Sequence, residues 1–235
     1  MLRKAVITGA TKGIGRAIAE SLATQGYDVA VCSRHAADLE EMQTDFAARF
    51  GDVQLLTKVV DVSKKEEVLD FAQFIDNQWH RVDVLVNNAG IFRSSAIHTE
   101  GDGDLEKMIE TNLYSAYHLT RALLPLMLPL KKGYIFNMCS TASVGADAQG
   151  GAYSISKYAL LGFSKNLRQE LKAQGIKVTS ILPGSTWSDS WAGFDVPEQR
   201  LMQARDIAEA VIAALRMSAA AVVEEIVMRP QLGDL

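Results

Sequence analysis

Seven short β-branched runs alternate with six longer amphipathic stretches along the whole chain, and few architectures accept that order. The runs are Ala5–Thr8, Asp28–Ser33, Gln54–Val60, Val82–Asn87, Tyr134–Met138, Val178–Leu182 and Glu225–Met228. Most are near-continuous apolar segments without strict polar alternation. Strands covered on both faces of a parallel sheet have this pattern. In Gly13–Gln25, Ala36–Phe50, Ser63–Gln78, Leu105–Leu128, Ala152–Gln174 and Arg205–Arg216, apolar residues recur at spacings of three and four, as on one face of a helix. Gly26, Gly51 and Gly175 stand where helices would stop. Strand and helix in repeated alternation predict an α/β fold. The expected form is a single doubly wound, Rossmann-type parallel sheet of about seven strands, with right-handed crossovers and helices on both faces. No linker, low-complexity segment or repeat divides the 235 residues, so a single domain over 1–235 is expected.

Composition narrows the partners. Apolar residues make up 48% of the chain, enough for a sizeable core, and the net charge is −4. A mildly acidic chain gains little from the counterion release that drives nucleic-acid binding, so no nucleic-acid partner is expected. Cys32 and Cys139 lack metal-ligand spacing and the four histidines do not cluster, so neither a disulfide nor a metal site is expected. The longest apolar stretch, Ala122–Leu130, has nine residues and two prolines, too short to span a membrane. No signal-peptide apolar region follows the basic start. The expectation is a cytoplasmic enzyme without a membrane partner.

The first run leads into Thr8-Gly9-Ala10-Thr11-Lys12-Gly13-Ile14-Gly15, and a helix follows. Glycines there allow a tight turn and close approach of backbone to a diphosphate. The helix start adds free N–H groups and a positive dipole end. No Gly-Lys-Ser/Thr follows at P-loop spacing. The second run ends at Ser33-Arg34, about 20 residues beyond the turn, where a dinucleotide fold meets the adenosine ribose. A carboxylate there accepts from a 2′-hydroxyl, whereas arginine accommodates a 2′-phosphate. Arg34, with Lys12 on the same side, predicts NADP(H) over NAD(H).

Tyr153 and Lys157 stand four apart at the start of a predicted helix and so share one face. A free phenol ionises at a pKa of about 10, and a neighbouring cation favours its ionised form. The preceding strand ends in Ser140, at the sheet edge where ligands sit in open α/β folds. Thr141 and Ser143 are rival hydroxyls by position alone.

These segments together resemble the short-chain dehydrogenase/reductase family from the first strand almost to the C-terminus. TGATKGIG at 8–15 resembles its TGxxxGxG turn, and Asn87-Asn88-Ala89-Gly90 its NNAG stretch. Asp61-Val62 is similar to its adenine-contacting pair, and Asn112 falls at its catalytic asparagine. Ser140 precedes Tyr153 by thirteen residues, the family spacing, which selects it over Thr141 and Ser143. Tyr153 and Lys157 match YxxxK, and Pro183-Gly184 the turn beside the nicotinamide. Two departures stand out. Cys139 replaces a frequent serine, and Thr186 and Ser188 alter the residues after Pro183-Gly184.

The resemblance implies catalytic Asn112, Ser140, Tyr153 and Lys157. Its implied cofactor residues are Gly9, Thr11, Lys12, Gly13, Ile14, Gly15, Ser33, Arg34, Asp61, Val62, Asn88, Ala89, Gly90, Tyr153, Lys157, Pro183, Gly184 and Thr186. In the implied reaction Ser140 bonds the carbonyl oxygen and Tyr153 donates the proton. Lys157 tunes the tyrosine and binds ribose, and Asn112 holds a water that links Lys157 to solvent. A lid is expected at 185–204, with Trp187, Trp191 and Phe194 facing a flat or apolar substrate. The tail from Val223, and Ser33-Arg34 with the residues after it, resemble the bacterial sepiapterin-reductase-like subgroup. The implied activity is NADP(H)-dependent reduction of a ketone, diketone or pterin side-chain carbonyl to an alcohol. A 3-oxoacyl-acyl-carrier-protein reductase is the rival enzyme, although only Arg93 and Arg200 offer basic charge near the lid. A non-catalytic NADP-binding regulator is the alternative of another class. Pairing through the helices in Leu105–Leu128 and Ala152–Gln174 would give a homodimer or homotetramer.

Overall fold

Seven strands form the sheet that the apolar runs predict, in a computed structural model that describes residues 3–187 and 196–235. They are β1 (Arg3–Thr8), β2 (Tyr27–Ser33), β3 (Leu55–Val59), β4 (Val84–Asn87), β5 (Gly133–Met138), β6 (Ile176–Pro183) and β7 (Glu225–Met228). Their order is β3-β2-β1-β4-β5-β6-β7, and every neighbouring pair is parallel. The helices are α1 (Gly13–Thr24), α2 (Ala36–Arg49), α3 (Lys65–Trp79), α4 (Asp104–Ile109), α5 (Ser115–Met127), α6 (Gly151–Leu171) and α7 (Ala204–Leu215).

Successive strand residues point to opposite faces, and both faces are covered. Ala5, Ile7, Val29, Val31, Val86 and Phe136 pack with Ile18 and Leu22 of α1, Met42 and Phe46 of α2, and Val211 of α7. Val6, Ala30, Leu85 and Ile135 pack on the other face with Phe71 and Ile75 of α3, Leu119 and Leu123 of α5, and Leu167 of α6. This double cover is why the strands read as unbroken apolar runs. From β1 the chain winds one way to β3, then returns to β4 and winds the other way. The strand order therefore reverses between β1 and β4, and a crevice opens there beyond the strands' C-terminal ends.

The expected helix over Leu105–Leu128 is divided. A π-turn at Glu110–Tyr114 separates α4 from α5, with the Ser115 N–H reaching back to Glu110 O. One extra residue per turn leaves the apolar spacing almost unchanged, so periodicity does not register it. The wide turn falls on Asn112, which is fully inward at 1% exposure. No helix among the described residues is long and apolar enough to cross a membrane.

A closed ion-pair square joins α1 to α2. Arg16 reaches Glu20 and Asp45 at 2.5 Å each, and Arg49 reaches the same carboxylates at 3.0 and 2.9 Å. Burial pushes the Glu20 carboxyl up, but hydrogen bonds from Arg49 and Arg16 outweigh it and hold the group below its ordinary range. A folded-state pKa below the unfolded one adds stability at neutral pH. That stability begins to fade below about pH 4 and is lost as pH falls through the folded value. Glu20→Gln is expected to lower stability to urea by at most about 1 kcal/mol at pH 7, because solvent screens half-exposed pairs. The gap from the parent should close as the pH falls through the carboxylate range.

Candidate active site

The glycine-rich turn after β1 lies against the turn after β4 across the crevice. Asn88 Nδ2 donates to Thr8 O and Gly9 O, both at 2.9 Å. Thr8 Oγ1 accepts the Asn88 and Ala89 N–H groups at 3.1 and 3.0 Å. Asn88 therefore spends its amide on bracing the turn. Space at Gly15 is closed: a Cβ there would lie 2.4 Å from Gly9 O and 2.5 Å from Asn88 Nδ2. Only glycine lets α1 start this near β1.

The start of α1 suits an anion. Its N-cap, Lys12, makes no side-chain cap bond, and no acidic residue occupies the first turn. The free N–H groups of the first turn thus have no competing carboxylate. Thr11 Oγ1 lies 3.4 Å from Ser33 Oγ, which places the turn beside the tip of β2. Arg34 at that tip is exposed, and Lys12 Nζ stands 3.5 Å from Asp38. Asp61 Oδ1 accepts from Ser63 Oγ and N at 2.8 and 3.1 Å. Burial raises the Asp61 pKa, but those bonds, with the Lys64 and Arg34 charges, hold it below the carboxylate range. Val62 packs partly buried beside the α3 core. A phosphate-bearing dinucleotide fits this edge: an uncapped helix start, two cations and a glycine turn.

On the other side of the crevice, α6 sets Tyr153 and Lys157 one turn apart. The Lys157 ammonium is buried, donates to Met138 O at 2.8 Å, and lies 5.7 Å from the centroid of the Tyr153 ring. A Cβ on Gly90 would stand 3.2 Å from Asn112 Oδ1 and 3.4 Å from Lys157 Nζ, so both groups border the β4 turn. Ser140 follows β5, nearly buried. Its Oγ accepts the Ala142 N–H at 3.2 Å, while Ser143 Oγ accepts the Ser140 N–H at 3.1 Å. Ser143 is fully buried in that cap, so of these two hydroxyls only Ser140 keeps any exposure. Cys139 is buried and its thiol is pushed up to about 11, chiefly by burial; Cys32 is likewise pushed up to about 12.

Asn112 is fully bonded through its side chain. Oδ1 accepts the Ile91 N–H at 2.7 Å, and Nδ2 donates to Ile91 O at 3.0 Å and Ser156 Oγ at 2.9 Å. Ser156 in turn donates to Tyr153 O at 2.7 Å. The Asn112 amide thus ties α6 to the β4 turn. Ser156, inside the YxxxK spacing, was not singled out by sequence; its only signal is its place beside Lys157. Farther along α6, Ser164 Oγ accepts from Asn137 Nδ2 at 2.9 Å and from Ser180 Oγ at 2.8 Å. Asn137 also takes a bond from Asn87 Nδ2 at 2.8 Å. These buried bonds fix the angle of α6 on β5 and β6.

The Pro183-Gly184 turn closes the site. Thr186 is buried and its hydroxyl donates back to Gly184 O at 3.0 Å. Asp234 lies against Gly184 so tightly that a Cβ there would be 1.8 Å from Oδ1. The same oxygen accepts the Ser185 N–H at 2.9 Å, and Arg229 pairs with the other. Arg200 holds the tail carbonyls Gly233 O and Leu232 O at 2.9 and 3.3 Å. The sequence marks the tail only by resemblance, because no local pattern pairs 184 with 234. Trp187 is 37% exposed. Trp191, Phe194 and Ser188 lie outside the described residues. Among the described residues no group of His, Cys, Asp or Glu is placed to hold a metal.

Residues 3–196 match the model of the short chain dehydrogenase family. The chain belongs to that family. It is 37% identical over 230 residues to an uncharacterized oxidoreductase of Staphylococcus saprophyticus, covering 96% of each chain. It is 33% identical over 238 residues to a sepiapterin reductase of Chlorobaculum tepidum, covering 98% of this chain and 97% of the relative. A 3-oxoacyl-acyl-carrier-protein reductase of Haemophilus influenzae is 36% identical over 217 residues, 88% of each. Among solved structures, the fold matches an alcohol dehydrogenase of Thermococcus sibiricus complexed with 5-hydroxy-NADP. The TM-score is 0.90 and the identity 28%, covering 98% of this chain and 97% of that one. The family match makes the chain an oxidoreductase of the short-chain type.

Proposed function

We propose that this short-chain dehydrogenase reduces the carbonyl of a ketone, a diketone or a pterin side chain to an alcohol with NADPH. One observation carries the reading: Asn112, Ser156 and Tyr153 form a bonded chain, with the Lys157 ammonium beside the Tyr153 ring, at the same β4 turn that the glycine-rich start of α1 borders. The NADP-type ligand of the Thermococcus sibiricus enzyme supports the cofactor, and the Chlorobaculum tepidum relative supports the pterin class.

When bound, NADPH supplies the hydride for the carbonyl carbon. Gly9, Gly13, Ile14 and Gly15 would hold its diphosphate, and Thr11, Lys12, Ser33 and Arg34 its 2′-phosphate. Asp61 and Val62 would hold the adenine, and Ala89 and Gly90 the ribose. Pro183, Gly184 and Thr186 would hold the carboxamide. Ser140 accepts from Ala142 and so keeps its own proton for the substrate oxygen. Tyr153 gives that oxygen a proton as general acid, and Lys157 would hold the ribose. With the Asn112 side chain spent, a relay water would sit on its main-chain carbonyl within the π-turn. The chain folds as one domain, and Trp187, part-exposed beyond the Pro183-Gly184 turn, would face the substrate. Pairing of copies would cover Tyr114, Tyr117 and Tyr158, exposed along the π-turn, α5 and α6.

The carrier-protein reading needs free basic charge at the mouth. Arg93 is paired with Asp104 at 2.8 Å, and Arg200 is committed to the tail carbonyls. The test is NADPH consumption over pterins, diketones, quinones and acetoacetyl thioesters. Turnover of diketones or pterins above the thioesters is expected. Preference for the thioesters would favour the carrier-protein enzyme, and no consumption at all would favour a binding role.

A further inference from the structure

Helix α6 places Tyr153 in its first turn, yet it has no cap of its own. Its N-cap is Gly150, followed by Gly151, so the N-cap position has no side-chain oxygen to offer. Helix starts normally satisfy their free N–H groups with a Ser, Thr, Asp or Asn oxygen. Two glycines in succession also make the start costly to order. Left alone, this turn would fray, and Tyr153 would move with it.

The missing oxygen comes from another segment. Glu100 Oε2 accepts the Ala152 N–H at 2.9 Å, across 52 residues of sequence. The segment that carries Glu100 follows β4 and is pinned against the start of α6 at further points. Ile91 is gripped by Asn112 on both its N–H and its carbonyl. Phe92 meets the Tyr153 ring edge to face, with centroids 4.8 Å apart. The Ser95 N–H donates to Gln149 O at 3.0 Å. Gly151 permits this approach. Its φ is +39°, and a Cβ there would lie 2.4 Å from Ser95 O and 2.7 Å from Glu100 Oε2. A side chain at 151 would push the Glu100 segment away from the helix.

We propose that Glu100 is a positioning residue for the reaction, the cap of α6 that fixes where the Tyr153 hydroxyl stands. The proposal rests on the reading of Tyr153 as the proton donor. A carboxylate suits the place doubly: it accepts the orphan N–H and faces the positive end of the helix dipole. The effect on rate follows from geometry, since a displacement of about 1 Å in a reacting group can cost on the order of a hundredfold. The Glu100 carboxylate is bonded to the helix start at the Ala152 N–H, so its loss should appear in kcat while cofactor binding stays intact.

The experiment uses the full chain with Glu100→Ala and Glu100→Gln. Glutamine keeps the acceptor oxygen and the chain length but removes the charge. Three quantities are read: kcat against KM for a turned-over carbonyl, the Kd for NADPH, and amide hydrogen exchange of a peptide spanning 148–156. Glu100→Ala should lower kcat roughly tenfold to a hundredfold, leave the NADPH Kd unchanged and speed exchange. Glu100→Gln should return kcat and exchange most of the way to the parent values. Unchanged exchange in Glu100→Ala overturns the cap. Faster exchange with parental kcat overturns the positioning role. Should Glu100→Ala fold poorly, the glutamine variant decides: slow exchange with parental kcat upholds the proposal, and fast exchange or a large loss of kcat overturns it. The exchange arm reads the cap even if Tyr153→Phe stays active, so failure here is distinct from failure of the acid assignment.

Discussion

Tyr153→Phe is expected to lower kcat about a thousandfold, within the range that one positioned proton donor supplies, and to leave NADPH binding intact. The variant removes one oxygen and little else. The edge-to-face contact with Phe92 is made by the ring, which phenylalanine keeps. The bond from Ser156 goes to the main-chain carbonyl of residue 153 and survives as well. Lys157 is anchored on Met138 O, not on the phenol. The fold, the α6 start and the ammonium should therefore be unchanged, and the rate reads the missing proton. Turnover and the NADPH Kd are measured on the same preparation. Activity within about tenfold of the parent, a smaller loss than general acid catalysis supplies, would mean that the proton comes from elsewhere. Ser140, the hydroxyl at the end of β5 proposed to meet the carbonyl oxygen, would then be the next to test.

The sheet was legible because its five central strands are buried on both faces, which leaves continuous runs such as Ala5–Thr8 and Tyr134–Met138. The helices on its two faces were legible through spacing. The π-turn was not, since one extra residue at Glu110–Tyr114 barely disturbs a spacing of three and four. Within the site, residues carried by short motifs were visible: the glycine turn, Ser140, Tyr153 and Lys157. Residues that act across long separations were not. Glu100 and Ala152 are 52 apart, and Asp234 meets Ser185 across 49 positions, so nothing local couples them. A glycine at 151 or 184 looks like any loop glycine until the atoms that would strike its Cβ are known. Side-chain direction was also illegible. Asn112 and Thr186 both lie at the site, yet the first spends its amide on Ile91 and Ser156 and the second turns its hydroxyl onto Gly184.

The two ends of the crevice are held by different physics. The α6 side is a chain of buried, directional bonds, from Asn87 through Asn137 to Ser164 and from Asn112 through Ser156 to Tyr153. The β2 side is a set of partly or fully exposed charges with loose contacts, as in the 3.4 Å approach of Thr11 to Ser33. Changes on the first side should act on rate, and changes on the second on the choice of cofactor.

Arg34→Ala is accordingly expected to reduce kcat/KM for NADPH by about 10- to 100-fold, the worth of charged hydrogen bonds at about 1.5–3 kcal/mol. The value for NADH should hardly move. Arg34 is exposed at the tip of β2, beside Ser33, and among the described residues no hydrogen bond or salt bridge holds its guanidinium. It can therefore turn to a 2′-phosphate without breaking a structural contact. Lys12 differs, because Asp38 stands 3.5 Å from its ammonium and offsets part of its charge. Lys12→Ala should thus cost less than Arg34→Ala. Added salt should weaken NADPH binding in the parent more than in the Arg34 variant, since one phosphate contact has gone. The measurement is kcat/KM for both cofactors at two ionic strengths. An equal loss with NADH and NADPH would mean that Arg34 supports the turn and does not read the phosphate. A parent that already prefers NADH would overturn the assignment of the 2′-phosphate to this tip altogether.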